Sequence, residues 1–288
     1  MKWRKKTIMS VRIITDSGSD IIEKLDGLTV LPLKVIFGDV TYLDGVNLSH
    51  EEFYEKLVES DTLPTTSQVN PYEFEQSFAE AVQAGDDVVA IILSSKLSAT
   101  YQSAMNAAMN FPGRVYVVDS LNVAFGMRIL VEYALRLRAE GLSAKEIAGK
   151  VESAKSRVHT IALLDTLEYL KRGGRISAAA AFAGGLLSIK PVIAVDEGKV
   201  AILGKARGSK QGNNMLMETA RKFGVDFDMP LALGYSGLSD KLLQKYITDS
   251  HVLWEGHEDK LRIVTIGGTI GTHAGPGAIG VAFFEPEK

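Results

Sequence analysis

The chain has 288 residues, of which 46% are hydrophobic and 23% charged, with a formal net charge of -3 and no cysteine. This length allows one large or two ordinary domains around a real core, and the charge offers no electrostatic reason for nucleic-acid binding. Without cysteine there are no disulfides, thiolate chemistry or Cys-ligated metal, which fits a cytoplasmic protein.

Residues 1–10 read as a basic N-terminal extension; Arg12 and Asp16 interrupt any apolar region that a secretory signal would need. Residues 11–15 form an apolar strand that runs into Asp16-Ser17-Gly18-Ser19-Asp20, where Ser19 or Asp20 is expected to cap a helix. Residues 29–37 are strand-like, with Pro32 placing them at an edge or a strand start. Gly38-Asp39 and Asp44-Gly45 then punctuate a loop or short hairpin. Ser49 and Glu52 form a capping box for a helix to about Glu59. A polar loop follows over residues 61–71, closed by Asn70 as cap and Pro71 at the first position of a helix. Within that loop Thr65, Thr66 and Ser67 gather more hydroxyls than a turn requires.

Residues 88–93 are an unbroken apolar, β-branched run, as in a strand buried on both faces. From Tyr101 the apolar residues Ala104, Met105, Ala108 and Met109 recur at helical spacing. Ser94, Ser95, Ser98 and Thr100 join strand to helix, so free N–H groups and hydroxyls meet at the positive end of a helix dipole. Such a junction suits an anion, phosphate or carboxylate, and Ser98 alone also reads as an N-cap. Residues 114–118 make another strand, followed by a long helix to about Ala139 and a second one capped by Ser143 and Glu146. This alternation predicts a mostly parallel sheet covered by helices on both faces, with ligands at the strands' carboxyl ends.

Beyond a boundary near residue 158 the pattern resumes as a second α/β unit. It has a strand over residues 159–164, a short helix broken by Gly173-Gly174, and a small-residue helix over 178–187. A hairpin turns about Glu197-Gly198, and helices and strands then alternate to a last strand over residues 278–284, giving a mixed sheet with helices. Residues 267–277 read as a glycine-rich loop carrying His273, and Arg207 is a single cation beside a glycine. No segment suits a membrane span, since residues 176–189 are short and interrupted. Gly275-Pro276-Gly277-Ala278-Ile279-Gly280 matches G-x-G-x-x-G, but a strand and the chain's end follow it, so it is no dinucleotide fingerprint. The histidines lack metal-ligand spacing, and neither a metal nor a cofactor is expected.

Six motifs in order resemble the DegV family of bacterial fatty-acid-binding proteins. They are Thr15-Asp16-Ser17, the run from Pro64 to Gln68, the run from Ser94 to Ser103, Val117-Val118-Asp119-Ser120, the run from Lys171 to Ser177, and the run from Gly271 to Gly277. The resemblance implies two α/β domains, residues 11–158 carrying a carboxylate site and residues 159–288 covering the acyl chain, with a long-chain fatty acid between them. For some members it also implies service as the non-catalytic partner of an ATP-binding fatty acid kinase subunit that would phosphorylate the presented carboxylate for phospholipid synthesis; transient membrane contact is compatible with that role. Thr66 and Ser98 match the carboxylate-binding positions, with Ser67 and Ser95 as motif neighbours. Arg175, Arg207 and His273 match positions near the mouth, facing carboxylate, phosphate or the partner. Ala99 stands where the family pattern has glycine, and Val69 where it has proline. The alternative from the residues alone is a serine-dependent lipid hydrolase or acyltransferase, with Ser95 or Ser98 as nucleophile and His273 as base.

Overall fold

The computed structural model describes residues 10–176 and 189–287, so the extension over 1–9 and the small-residue helix expected over 178–187 lie outside the described residues. The strands are β1 (Val11–Asp16), β2 (Leu28–Leu31), β3 (Lys34–Phe37), β4 (Val40–Leu43), β5 (Thr65–Ser67), β6 (Asp87–Ile92), β7 (Val115–Asp119), β8 (Val158–Leu163), β9 (Ile189–Asp196), β10 (Lys199–Arg207), β11 (Ala232–Tyr235), β12 (Arg262–Thr265) and β13 (Ile279–Phe284). The helices are α1 (His50–Glu59), α2 (Pro71–Gln83), α3 (Thr100–Ala108), α4 (Ala124–Ala139), α5 (Ala144–Ala154), α6 (Glu168–Arg172), α7 (Gly208–Phe223), α8 (Lys241–Asp249), α9 (His251–Trp254) and α10 (Gly268–Ala274).

The first sheet is parallel in the order β2-β1-β6-β7, and its two faces carry alternate side chains. Ile14, Val88, Ala90 and Ile92 pack with α2 and α3, while Ile13, Val89 and Ile91 pack with α4 and α5. The order reverses direction between β1 and β6, which opens a crevice at their carboxyl ends. The second sheet is mixed, in the order β10-β9-β8-β13-β11-β12, and a small sheet β4-β3-β5 lies beside α1.

Helix α4 serves both large sheets. Residues 124–131 of it are all buried, apolar on every side except for Arg128, whose charge is paired with Glu23 and Glu132. It packs on β1 and β6 and also on β8, β11 and β13, so the core that begins at Val11 continues to Phe284. Phe125 enters the second sheet where Gly234 and Gly280 leave room; a Cβ at either glycine would overlap the ring.

Four sequence expectations change. The strand expected over residues 29–37 divides around Pro32: β2 pairs with β1, whereas β3 pairs with β4 and β5. No α-helix follows Asp20; Ser17–Ser19 is one 3-10 turn and Asp20 turns left-handed at φ 55°. The polar loop over residues 61–71 contains β5, because Thr65, Thr66 and Ser67 complete the edge of β3. The glycine-rich loop contains α10, whose glycines pay their entropic penalty in exchange for close packing: a Cβ at Gly268 or Gly271 would crowd Phe53, and one at Gly271 also Tyr54.

Candidate functional site

Between the crevice of the parallel sheet and the inner face of the mixed sheet lies a cavity of about 580 Å³, a size usual for small-molecule sites. Thr160, Ala162 and Leu164 face it from β8 and the residue after it, while Ile161 and Leu163 point into the core behind. Ile193, Val195 and Val200 extend this apolar wall, and Val123 and Phe125 face it from the start of α4. Thr160 belongs to this wall because its hydroxyl is spent on Asn122 Oδ1 at 2.7 Å. From Leu164 back to Thr160 the strand spans about 13 Å.

Polar groups line the cavity as well, and one of them, His273, lies against Gly173 just after α6. Helix α10 lines the cavity with Thr269, Ile270, His273 and Ala274, which is one helical face. His273 Nε2 is 3.1 Å from Thr66 Oγ1, so a helix of the second half meets a strand of the first. His273 Nδ1 is buried with no hydrogen-bond partner, against the Cα side of Gly173. The proton is therefore assigned to Nε2, which donates to Thr66 Oγ1 and leaves the threonine hydroxyl free to donate onward. Burial, then the nearby Arg175 charge, pushes the His273 pKa down to about 4, so the ring is neutral at pH 7. Arg175 supplies the formal positive charge; its guanidinium is anchored by Nε to Leu97 O at 3.0 Å and by Nη1 to Gly173 O at 2.7 Å. The site thus offers hydroxyl donors and a cation to an anion beside apolar walls, with the imidazole N–H holding the Thr66 hydroxyl in place.

Of the residues expected from sequence, Thr66, Ser67, Ser98, Arg175 and His273 line the cavity. Ser95 and Arg207 do not. Ser95 is exposed, with its N–H turned to Asp119 Oδ1 at 3.1 Å, and Arg207 is exposed where β10 meets α7, with its N–H on Gln211 Oε1 at 2.7 Å. Ser98 is not the N-cap of α3, a position that Ala99 takes without a side-chain cap bond; its Oγ instead accepts the Thr100 N–H at 3.2 Å and lies 2.8 Å from Thr100 Oγ1. The hydrolase arrangement is not assembled: His273 Nε2 is engaged by Thr66, and the Ser98 hydroxyl by Thr100. Ala99 takes φ -78° and ψ 1°, which needs no glycine, and Val69 is fully buried in the core with Phe74 and Phe78 of α2.

Several polar lining groups escaped the sequence reading, Lys34 and Gln68 among them. Lys34 reaches the cavity while paired with Glu73 at 2.9 Å, and Gln68 lines it while donating to Ser103 Oγ at 3.1 Å. Lys34 looks like an ordinary strand position in sequence, whereas Gln68 stood inside the threonine motif and was the available signal.

A family model described as an uncharacterised protein of the DegV family matches residues 10–286. The chain belongs to the DegV family. A DegV domain-containing protein of Caldanaerobacter subterraneus is 37% identical over 281 residues, covering 96% of this chain and 99% of the relative. Among solved DegV structures, the fatty-acid-binding protein of Thermus thermophilus superposes with a TM-score of 0.87 at 33% identity, covering 96% of this chain and all (100%) of that one. A stearic acid-binding protein of Eubacterium ventriosum gives 0.83 at 26% identity, covering 96% and 98%. DegV structural neighbours therefore bind fatty acids, and the two-sheet α/β architecture of this chain is theirs.

Proposed function

We propose that this DegV protein binds one long-chain fatty acid between two α/β domains, residues 11–158 and 159–288, and performs no chemistry on it alone. The observation that carries the reading is the mixed lining of the cavity: an apolar wall from β8, β9, β10 and the start of α4, together with the polar groups of Thr66, Ser98, Arg175 and His273. Each buried methylene contributes about 0.8 kcal/mol, and a charge-assisted hydrogen bond about 1.5–3 kcal/mol. Affinity therefore comes mainly from the tail, and the head group fixes orientation.

A carboxylate held by Thr66 and Ser98 would be available to an ATP-binding kinase subunit, with exposed Arg207 off the cavity free to contact the partner or its phosphate. In that role the protein is a cytoplasmic substrate carrier. Native mass spectrometry of the purified protein, followed by organic extraction, tests the binding reading; one fatty acid per chain is expected. A protein that emerges empty and also ignores added palmitate and oleate overturns it. Incubation with ATP and the kinase subunit tests the second part: Arg207→Ala should slow acyl phosphate formation while the fatty acid still binds.

A further inference from the structure

Three consecutive backbone N–H groups at the start of α10 are donated to carboxylates from the other half of the molecule. Gly267 N–H goes to Asp20 Oδ1 at 2.8 Å, Gly268 N–H to Asp44 Oδ1 at 2.9 Å, and Thr269 N–H to Asp44 Oδ2 at 3.1 Å. Asp44 is itself held in place. Its Oδ2 accepts the Ser17 hydroxyl at 3.0 Å, Ser17 Oγ accepts Leu33 N–H at 3.0 Å, and Asp44 N–H donates to Leu33 O at 2.9 Å. Asp44 is 2% exposed and outside the cavity lining, so it does not touch a ligand. In its last turn the same helix carries His273, against Thr66. The helix is thus pinned to the first half at both ends, by carboxylates at its N-terminus and by the imidazole at the other.

We propose that Asp44 is a positioning residue for head-group recognition: by receiving the first N–H groups of α10 it sets the depth and rotation of that helix, and so the place of His273 beside Thr66. The proposal rests on the fatty-acid reading of the cavity. A helix of seven residues has less than two turns in which to absorb a shift at its start, so movement at Gly268 is carried to His273. Charge complements geometry, because a carboxylate at a helix N-terminus meets the positive end of the dipole. In Asp44→Asn one of the two oxygens becomes an NH2 group, which would face a backbone N–H donor with no acceptor between them.

The test compares palmitate with hexadecanol, which has the same chain and no carboxylate, by calorimetry on delipidated wild type and Asp44→Asn. Palmitate affinity is expected to fall about tenfold and hexadecanol affinity to change by less than about twofold. In ligand-free Asp44→Asn, followed by NMR, the His273 ring should titrate closer to its ordinary range. Equal weakening of both ligands would mean general loosening and overturns the assignment, as does an unchanged palmitate affinity with an unchanged His273 titration. Should Asp44→Asn not fold, Ser17→Ala removes only the hydroxyl that orients Asp44; the same selective loss, about two- to threefold, is expected, and its absence is again negative. A wild type that binds neither ligand refutes the fatty-acid reading instead, and the His273 titration still decides the role of Asp44.

Discussion

His273 lies between the Thr66 hydroxyl and the Arg175 guanidinium, neutral because burial and that cation both disfavour a second proton. A fatty carboxylate arriving beside it reverses the local charge, so the His273 pKa should rise from about 4 when the protein is loaded. An NMR titration of the ring protons with and without palmitate reads this directly; an unmoved midpoint would put the head group elsewhere. The same depressed pKa has a stability consequence. The unfolded ring takes up a proton near pH 6.5 and the folded one near 4, so its contribution is intact above pH 6.5 and is lost as pH falls through that window. Gly173 supplies a steric test of the same ring. Its backbone is ordinary for any residue, at φ -72°, but a Cβ would overlap His273 Nδ1. Gly173→Ala should therefore displace the imidazole and weaken palmitate binding about tenfold while the far-ultraviolet circular dichroism spectrum stays unchanged.

Helix α4 gives the element scale its clearest energetics. Phe125 is 2% exposed, seated over Gly234 and Gly280, and also faces the cavity. Phe125→Ala should destabilise by about 3–5 kcal/mol in urea unfolding, because the glycines beneath have no side chains with which to fill the void. The enlarged cavity should at the same time shift the preference toward longer or bulkier acyl chains in a competition among extracted fatty acids. Unchanged selectivity would show that the tail does not reach α4. Helix α10 illustrates the opposite balance: its glycines weaken it as an isolated helix, and its contacts with α1 and with Asp44 supply what propensity withholds.

At the scale of the whole molecule, the two halves are joined by the buried acids Asp20 and Asp44, with Asp16 buried beside them within the first half. Burial raises the Asp16 pKa to about 7 and that of Asp20 well above the usual carboxylate range, and the Asp44 charge adds to both. For a group whose folded pKa lies above its unfolded value, the folded state binds the extra proton between the two. The Asp16 contribution is thus fully present below about pH 4 and is lost as pH rises toward 7. The stability difference between wild type and Asp16→Asn, measured by urea unfolding from pH 4.5 to 8, should move against the wild type as pH rises. A pH-independent difference would contradict the raised pKa. Arg128 and Arg262 reinforce the same seam: both pair with Glu23, and both also reach Glu132, from α4 at 2.8 Å and from β12 at 3.3 Å.

Elements with a local cause were legible in the chain itself. The capping boxes at Ser49 and Ser143 and the Asn70 cap bind their own third residues, and the runs over residues 11–15 and 88–93 alternate faces or bury both, whatever else surrounds them. The threonine and serine clusters were likewise visible as hydroxyls in excess of turn chemistry, and Thr66 and Ser98 do reach the cavity. Other features depend on partners distant in sequence. Asp44 looked like turn punctuation until it met Gly268, 224 positions away, and His273 belonged to a loop until Phe53, Tyr54 and Asp44 gave its glycines a helix to form. Ser95 and Ser98 are three residues apart, yet only the path of the chain from β6 to α3 turns one to solvent and the other to the cavity. Short-range hydrogen bonding and side-chain periodicity are encoded within a few residues; which polar group lines a cavity is settled only when remote segments exclude water from it together.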